Sequence, residues 1–570
     1  MYKELYDLWL DKAILDEDIH KELVDMSNDD DRISDSFYTE LKFGTAGLRG
    51  VIGAGINRMN VYTVGRATQA LANFVKSVNE NGSVAIAYDS RIKSTEFAQA
   101  SAAILAENGI KVYIYKELMP TPMLSYAVRN LHCDAGIVVT ASHNPAKYNG
   151  YKVYGSDGCQ MREKSCKMIL NMMDEIDYFS GIAFGDFDKL LKDGKIEYIG
   201  EDLIESYLDA VQRQSVCDND VDLSQLKVIY SPLHGTGNKP VRAILNRIGV
   251  KNVTVVKEQE LPDGNFPTAP YPNPEIKQPF ELALKYAKEN NADLLLATDP
   301  DCDRVGIAVK NADEYTLISG NNVGALLMNY ILERRNANGT MPKNPIVVKT
   351  IVTTNICQKI AEYYGCELIN VLTGFKYIGE QIGLLEQKNE ENRYIFGFEE
   401  SYGYLAGGYV RDKDAVVASM LICEMAAYYK KQGLTLIDQL ENLFEKFGYY
   451  FSEQKSFTFE GQSGMAEMDK IMSSLHTNTP DSIDGLKVIR IDDYKLSTTT
   501  DVTTNTETKI SLPVSDVIAF TLSDNSTVVF RPSGTEPKIK IYLLIAADSR
   551  KSAEMKCNTI MDDAVKLLKQ

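Results

Sequence analysis

Nothing in this 570-residue chain approaches the run of about eighteen apolar residues that a membrane-spanning helix needs. An excess of basic charge is missing too. With 61 Lys and Arg against 79 Asp and Glu the net charge is −18, which argues against nucleic acid or an anionic membrane as partner. The nine cysteines form no CxxC pair, and reduced thiols in a cytoplasmic protein are expected. Five histidines are scattered without metal-ligand spacing, and only His143, beside Ser142, falls near a chemical motif. No GxxxxGK[ST] occurs, which excludes the nucleotide P-loop, and no GxSxG flanks a serine, which excludes a hydrolase elbow. The opening MYKELYDLWLDKAILDEDIH is acidic and patterned like an amphipathic helix, with neither the basic nor the apolar region of a secretion signal.

What is present is concentrated in four motifs. In DAGIVVTASHNPAKYNGYK (134 to 152) a short apolar strand runs into a polar turn holding Ser142, His143 and Asn144. Pro145 has no N–H for a ladder, so a hydroxyl is delivered to the end of a buried strand, where α/β proteins collect ligands. Such a serine can cap the next segment or act as a nucleophile if something activates it. In ADLLLATDPDCDRVGIAV (292 to 309) an apolar run of the kind expected for a parallel strand covered on both faces ends in Asp299, Asp301 and Asp303. In extended backbone, alternate residues point the same way, so the three carboxylates are expected to converge. Three such charges call for a hard divalent cation, with positions left for waters and a phosphate oxygen, as Mg2+ prefers. An EF-hand is excluded, because its sixth and twelfth positions are here Arg304 and Lys310.

The third motif, FRPSGTEPKIKIYLLI (530 to 545), gathers Arg531, Ser533, Gly534 and Thr535 between two strand-like runs, a plausible cradle for phosphate. The fourth joins TGFKYI (373 to 378) with GFEESYGYLAGGYVRDKDAV (397 to 416). Its adjacent acids Glu399 and Glu400, beside Ser401, suit vicinal sugar hydroxyls, and Asp414 after Lys413 suits a helix N-cap.

Taken together the motifs resemble those of the α-D-phosphohexomutase superfamily, most closely its long phosphoglucomutase branch. TASHNP is similar to the phosphoserine loop, DPDCDR to the magnesium loop, GFEES to the sugar-binding loop and RPSGTEP to the phosphate-binding loop; KFGTAGLRG (42 to 50), with Arg49, resembles the amino-terminal active-site segment. The resemblance implies a mutase that interconverts glucose 1-phosphate and glucose 6-phosphate. Ser142 would carry the phosphoryl group and Asp299, Asp301 and Asp303, with the Ser142 oxygen, would hold Mg2+. Lys413 would be the general base, assisted by His143, Arg49 and Lys152. Thr373, Gly374, Lys376, Glu399, Ser401 and Arg304 would hold the sugar, and Arg531, Ser533, Gly534 and Thr535 the phosphate. Glucose 1,6-bisphosphate would be intermediate and activator. Phosphomannomutase or phosphopentomutase activity stays open, because Phe375 stands where other branches carry Trp or His. A metal-dependent phosphatase or a non-catalytic sugar-phosphate-binding protein are the readings from other classes.

The chain is too long for one core, and three to five domains are expected. VAIAYDSR, FAQASAAILAENG and KVYIY read as a βαβ unit, as do LKVIYSPLHGTG, KPVRAILNRIG and KNVTVV. NPIVVKT to YIFGFEES suggests a third α/β domain; beyond it strands follow one another, an α+β pattern, with STTTDVTTNTET (497 to 508) as a loop or hairpin tip. The resemblance implies three related α/β domains and a C-terminal α+β domain around a central cleft. Boundaries are placed at 1–212 (phosphoserine loop), 213–318 (metal loop), 319–448 (sugar loop) and 449–570 (phosphate loop). Expected partners are small sugar phosphates, with a monomer or small homo-oligomer as the assembly.

Overall fold

The structure, a computed structural model, describes residues 2–44, 47–459, 462–533 and 538–569. Its contacts divide the chain into two compact units. The first holds Met1–Ile318, Gly379–Tyr394 and Tyr402–Lys431; the second holds Ser319–Ile378, Ile395–Ser401 and Gln432–Gln570.

The first unit is built on two sheets. One takes β1 (Gly47–Val51), β2 (Ser83–Tyr88), β3 (Lys111–Ile114), β4 (Ala135–Val139), β5 (Tyr148–Gly155) and β6 (Ile196–Tyr198), in the order β1-β5-β4-β2-β3-β6. The expected βαβ unit is there: β2 and β3 are parallel, joined by the helix Ser94–Glu107. Strands β2 and β4 are buried nearly throughout, because Val84, Ile86, Ile137 and Val139 face helices rich in alanine such as Ala98 and Ala102. Burying each such branched side chain is worth about 1.5–3 kcal/mol. β5 returns antiparallel to β4, and this return forces the turn that holds Ser142.

The second sheet takes β7 (Lys227–Ser231), β8 (Asn252–Val255), β9 (Leu294–Thr298), β10 (Val305–Asn311) and β11 (Glu314–Ile318), in the order β11-β10-β9-β7-β8. β9 is buried on both faces, but it pairs parallel only with β7; its other neighbour, β10, is antiparallel. The aspartate loop is therefore a tight reversal between adjacent strands, where a wholly parallel sheet would have continued into a crossover helix. The amino-terminal stretch is also two helices, Tyr2–Lys12 and Glu17–Asp25, because Asp16 caps the second through the N–H groups of Asp18 and Ile19.

In the second unit β12 (Ile346–Thr350) and β13 (Glu367–Val371) are parallel, and β14 (Tyr394–Glu399) lies on the other side of β12. The strand β15 (Gly403–Ala406) follows in the first unit. The rest is antiparallel: β16 (Tyr449–Thr458), β17 (Ser482–Ile483), β18 (Leu486–Asp493), β19 (Thr498–Asp501), β20 (Thr506–Lys509), β21 (Ile518–Leu522), β22 (Thr527–Pro532) and β23 (Lys538–Ala547). The main path is β16-β23-β22-β21-β18-β19-β20, with the helices Gln462–Thr477 and Arg550–Leu567 contributing Met472, Leu475, Ile560 and Met561 to its core. Strands in succession with helices apart is the expected α+β pattern. The threonine-rich stretch is the β19–β20 hairpin. Among the described residues no helix is long and apolar enough to cross a membrane.

Candidate active site

Ser142 sits just past the end of β4, nearly buried, in the left-handed backbone region with φ +51°. Its Oγ donates to Asp299 Oδ2 at 2.8 Å and lies 3.2 Å from His143 Nδ1. The serine and aspartate motifs, far apart in sequence, are thus in contact.

The three aspartates do converge: one carboxylate oxygen from each lies within 4.8 Å of the others, and all three side chains are buried. The route differs from the extended one expected. Residues 299–304 form a turn, with Cys302 left-handed at φ +51° and Asp299 Oδ1 accepting from the N–H groups of Asp303 and Arg304. The turn wraps around Asp299, and the chain reversal, not strand alternation, brings the carboxylates together.

Cations hold this cluster from outside. Lys152 Nζ donates to Asp301 Oδ2 at 2.7 Å and stands 3.7 Å from Asp303 Oδ2. Lys413 Nζ lies 3.0 Å from Asp303 Oδ2 and 3.1 Å from Asp412 Oδ1, and Tyr154 donates to the other oxygen of Asp412 at 2.6 Å. Lys413 is nearly buried and runs so close over Gly403 that a Cβ there would stand 2.0 Å from its Cδ; only glycine fits. Burial raises Asp299 well above the usual carboxylate range, with Asp301 and Asp303 adding to it. Asp301 is held below that range: burial opposes this, and the Lys152 ammonium overrides it. Lys152 is correspondingly raised, its two aspartates outweighing its burial. His143 is pushed well below its ordinary value by burial and by the cations Arg304 and Arg49, so it is neutral near pH 7. Arg49 lies on β1 opposite Gly150, and Arg304 is paired with Glu275 at 2.5 Å.

A divalent cation fits this cluster on structural grounds. Asp301 Oδ1 and Asp303 Oδ1 are buried with no hydrogen-bond partner among the described residues, which is costly unless something else engages them. An all-oxygen donor set suits a hard cation.

The second unit holds the sugar and phosphate motifs. Glu399, at the end of β14, accepts from the Gly374 N–H at 2.8 Å, which joins GFEES to the TGFK turn. Thr373 and Ser401 are half-buried beside it, and Lys376 lies over the Tyr377 ring at 4.9 Å. Phe375 is buried at the start of the helix Phe375–Glu386. Glu400 departs from expectation: its carboxylate turns to Thr350 Oγ1 (3.2 Å) and Thr353 Oγ1 (3.5 Å), and burial together with Glu399 raises its pKa. It braces a turn after β12. Arg531, at the end of β22, donates to the Tyr542 hydroxyl at 3.2 Å, and Ser533 N–H donates to the Lys538 carbonyl. Gly534 and Thr535 lie outside the described residues.

Two contributors escape a reading of the sequence. Thr121, opening the helix Thr121–Asn130, gives its hydroxyl to Asp301 Oδ2 (2.9 Å) and its N–H to the Asp301 carbonyl (2.9 Å). Arg91, at the end of VAIAYDSR, donates to the Ser142 carbonyl. Prolines on both sides of Thr121 are a faint helix-start signal; Arg91 carries none.

Residues 40–179, 205–312 and 319–447 match, in turn, alpha/beta/alpha domains I, II and III of phosphoglucomutase/phosphomannomutase. A phosphoglucomutase of Staphylococcus haemolyticus is 38% identical over 514 residues, covering 90% of this chain and 92% of its own. That of Staphylococcus aureus is 35% identical over 562 residues, covering 97% and 98%. Among solved structures, parafusin (a phosphoglucomutase) of Paramecium in its open form superposes with a TM-score of 0.68 at 18% identity, covering 93% of this chain and 94% of its own. A phosphoglucomutase/phosphomannomutase family protein of Burkholderia thailandensis gives 0.65 at 18%, covering 92% and 96%. With a serine buried against three aspartates on two α/β sheets, and relatives this similar over nearly the whole length, the chain belongs to the phosphoglucomutase/phosphomannomutase family of the α-D-phosphohexomutase superfamily and is a phosphotransferase of the mutase type.

Proposed function

We propose that this enzyme interconverts glucose 1-phosphate and glucose 6-phosphate, with Ser142 as the residue that carries the phosphoryl group. The observation that carries the reading is the Ser142 Oγ contact with Asp299, at the edge of a carboxylate cluster with two buried oxygens that have no hydrogen-bond partner among the described residues. Asp299, Asp301 and Asp303, with the serine oxygen, would hold Mg2+, which when bound disperses the charge of a phosphoryl group in transfer. Arg531, Ser533, Gly534 and Thr535 would grip the phosphate that the sugar already carries. Thr373, Gly374, Lys376, Glu399, Ser401 and Arg304 would hold its hydroxyls. Its free hydroxyl then attacks the phosphorus of phosphoserine; the serine Oγ–P bond breaks, and glucose 1,6-bisphosphate forms. Lys413, in its neutral amine form, is assigned the proton of the attacking hydroxyl. The neutral His143 can exchange a hydrogen bond with the Ser142 oxygen, while Arg49 and Lys152 offset the phosphoryl charge. The bisphosphate reorients and returns its other phosphate to Ser142. Four domains divided near residues 212, 318 and 448, a cytoplasmic setting, small sugar phosphates as the partners, and a monomer or small homo-oligomer complete the reading.

The test is incubation with glucose 1-phosphate, Mg2+ and a trace of glucose 1,6-bisphosphate. A mutase yields glucose 6-phosphate, a phosphatase yields inorganic phosphate, and a binding protein yields neither. Comparing kcat/KM for glucose, mannose and pentose phosphates decides the sugar; release of inorganic phosphate alone would refute the assignment.

A further inference from the structure

We infer that Arg91, clamped by Phe266, is the positioning residue that holds the Ser142 loop in the geometry phosphoryl transfer needs. This rests on the reading of Ser142 as the phosphoryl carrier.

Ser142 adopts a left-handed conformation that a residue with a Cβ keeps only when its surroundings impose it. The surroundings here are one buried ion pair. The Arg91 side chain is fully buried, with Nε 3.3 Å from Asp89 Oδ2. Its Nη2 donates to the carbonyls of Ser142 and Asn144, and its Nη1 to those of Pro145 and Tyr148, each at 3.0 Å. One guanidinium therefore collects four carbonyls from a single turn, which its planar fork can do and an ammonium cannot. Asp89 completes the grip from the other side. It accepts from Thr140 Oγ1 at 2.6 Å, and that hydroxyl accepts from the Ser142 N–H at 2.8 Å. Both the N–H and the C=O of Ser142 are thus fixed by Asp89 and Arg91.

The clamp comes from the connection between β8 and β9, the strand that leads into the aspartates. The Phe266 ring, fully buried, lies against the Arg91 guanidinium, 5.0 Å from ring centroid to Cζ. Phe266 is itself left-handed, with φ +47°. Two residues earlier the chain presses on residues 90–92 so closely that a Cβ on Gly264 would stand 2.5 Å from the Ile92 nitrogen. The same loop runs on to Glu275, which pairs with Arg304 beside the aspartates. One loop therefore touches the supports of both halves of the reaction centre.

The experiment measures single-turnover formation of phosphoserine from glucose 1,6-bisphosphate by intact mass, in the full-length enzyme. KM for glucose 1-phosphate, Mn2+ affinity by calorimetry and Tm are measured beside it. Phe266→Leu keeps apolar bulk but loses the ring face, and should slow phosphoserine formation by about ten- to thirty-fold, with KM and Mn2+ affinity within about two-fold of wild type. Phe266→Tyr, which keeps the face, should restore the rate to within about three-fold. Arg91→Lys, which cannot serve four carbonyls, should be slower still, and it reads the same step should Phe266→Leu not fold. An unslowed Phe266→Leu or Arg91→Lys at wild-type Tm overturns the inference, as does a loss of rate matched by equal losses in KM and Mn2+ affinity. A wild-type enzyme that forms no phosphoserine overturns the mutase reading itself, and this inference with it.

Discussion

Around Ser142 charged side chains pair with one another; around Glu399, which is also buried, the contacts include a backbone N–H and threonine and tyrosine hydroxyls. In the first cluster Lys152 answers Asp301, Lys413 answers Asp303 and Asp412, and the serine answers Asp299. In the second, Glu399 accepts from the Gly374 N–H, and Arg531 donates to the Tyr542 hydroxyl. Buried charges must be paired, so each group in the first cluster fixes its neighbours, and removing one leaves another uncompensated. In the second cluster the contacts run to backbone and hydroxyl groups, so losses there should follow the contacts removed. Coupling in one region and near-independence in the other is what the difference teaches, and it can be broken by experiment.

The largest effect should come from Ser142→Ala. It removes the acceptor of the phosphoryl group and should lower mutase kcat by more than about a thousand-fold, with no phosphoenzyme by intact mass and little change in Tm. Next is Asp301→Asn, which should weaken Mn2+ binding and cut activity by about a hundred-fold or more. Because Lys152 then loses the nearer of its two aspartates, Lys152→Met combined with Asp301→Asn should cost less than the sum of the two singles, with a coupling of about 1–3 kcal/mol in a double-mutant cycle. Strict additivity would mean that the pair is not coupled.

In the second cluster, Glu399→Ala should lower kcat/KM for glucose 1-phosphate by roughly ten- to several-hundred-fold, the cost of one or two unpaired sugar hydroxyls. Glu400→Gln should cost less than about five-fold, because that side chain braces Thr350 and Thr353 and can keep one such bond as an amide. Equal losses at the two positions would show that both face the sugar.

The smallest effect is a contrast between two histidines. His476 bridges Asp493 (2.7 Å) and Asp516 (2.9 Å), which raise its pKa although burial opposes them; burial lowers that of His143. The signs are opposite. The stabilisation from His476 is fully present below its unfolded pKa, near 6.5, and fades as pH rises through its higher folded value. That from neutral His143 is present above about 6.5 and fades as pH falls toward its depressed folded value. NMR titration should find His143 neutral and His476 charged at pH 6; matching midpoints would refute the contrast.

Much of this was legible in the residues themselves. Runs such as VAIAY, AGIVV and LLLAT read as strands because each is apolar enough for two covered faces. The aspartates were legible because no other remedy for three clustered carboxylates is common. The metal turn was not, because D-x-D-x-D reads the same whether extended or folded, and the left-handed residue is Cys302 instead of a glycine. Adjacent glutamates look equivalent on paper, yet Glu399 ends β14 while Glu400 opens the turn that follows and bonds to Thr350 and Thr353. Arg91 and Thr121 act through partners 51 and 180 residues away, a relation no local pattern carries.

The thiols lead somewhere else. Seven of the nine cysteines are buried, and the two partly accessible ones fall one in each compact unit, Cys217 in the first and Cys366 in the second. Burial raises the Cys366 thiol to about 11, so maleimide should attach there more slowly than at an ordinary cysteine. The unaltered chain thus offers one attachment site in each compact unit, and intact mass would follow the labelling of each.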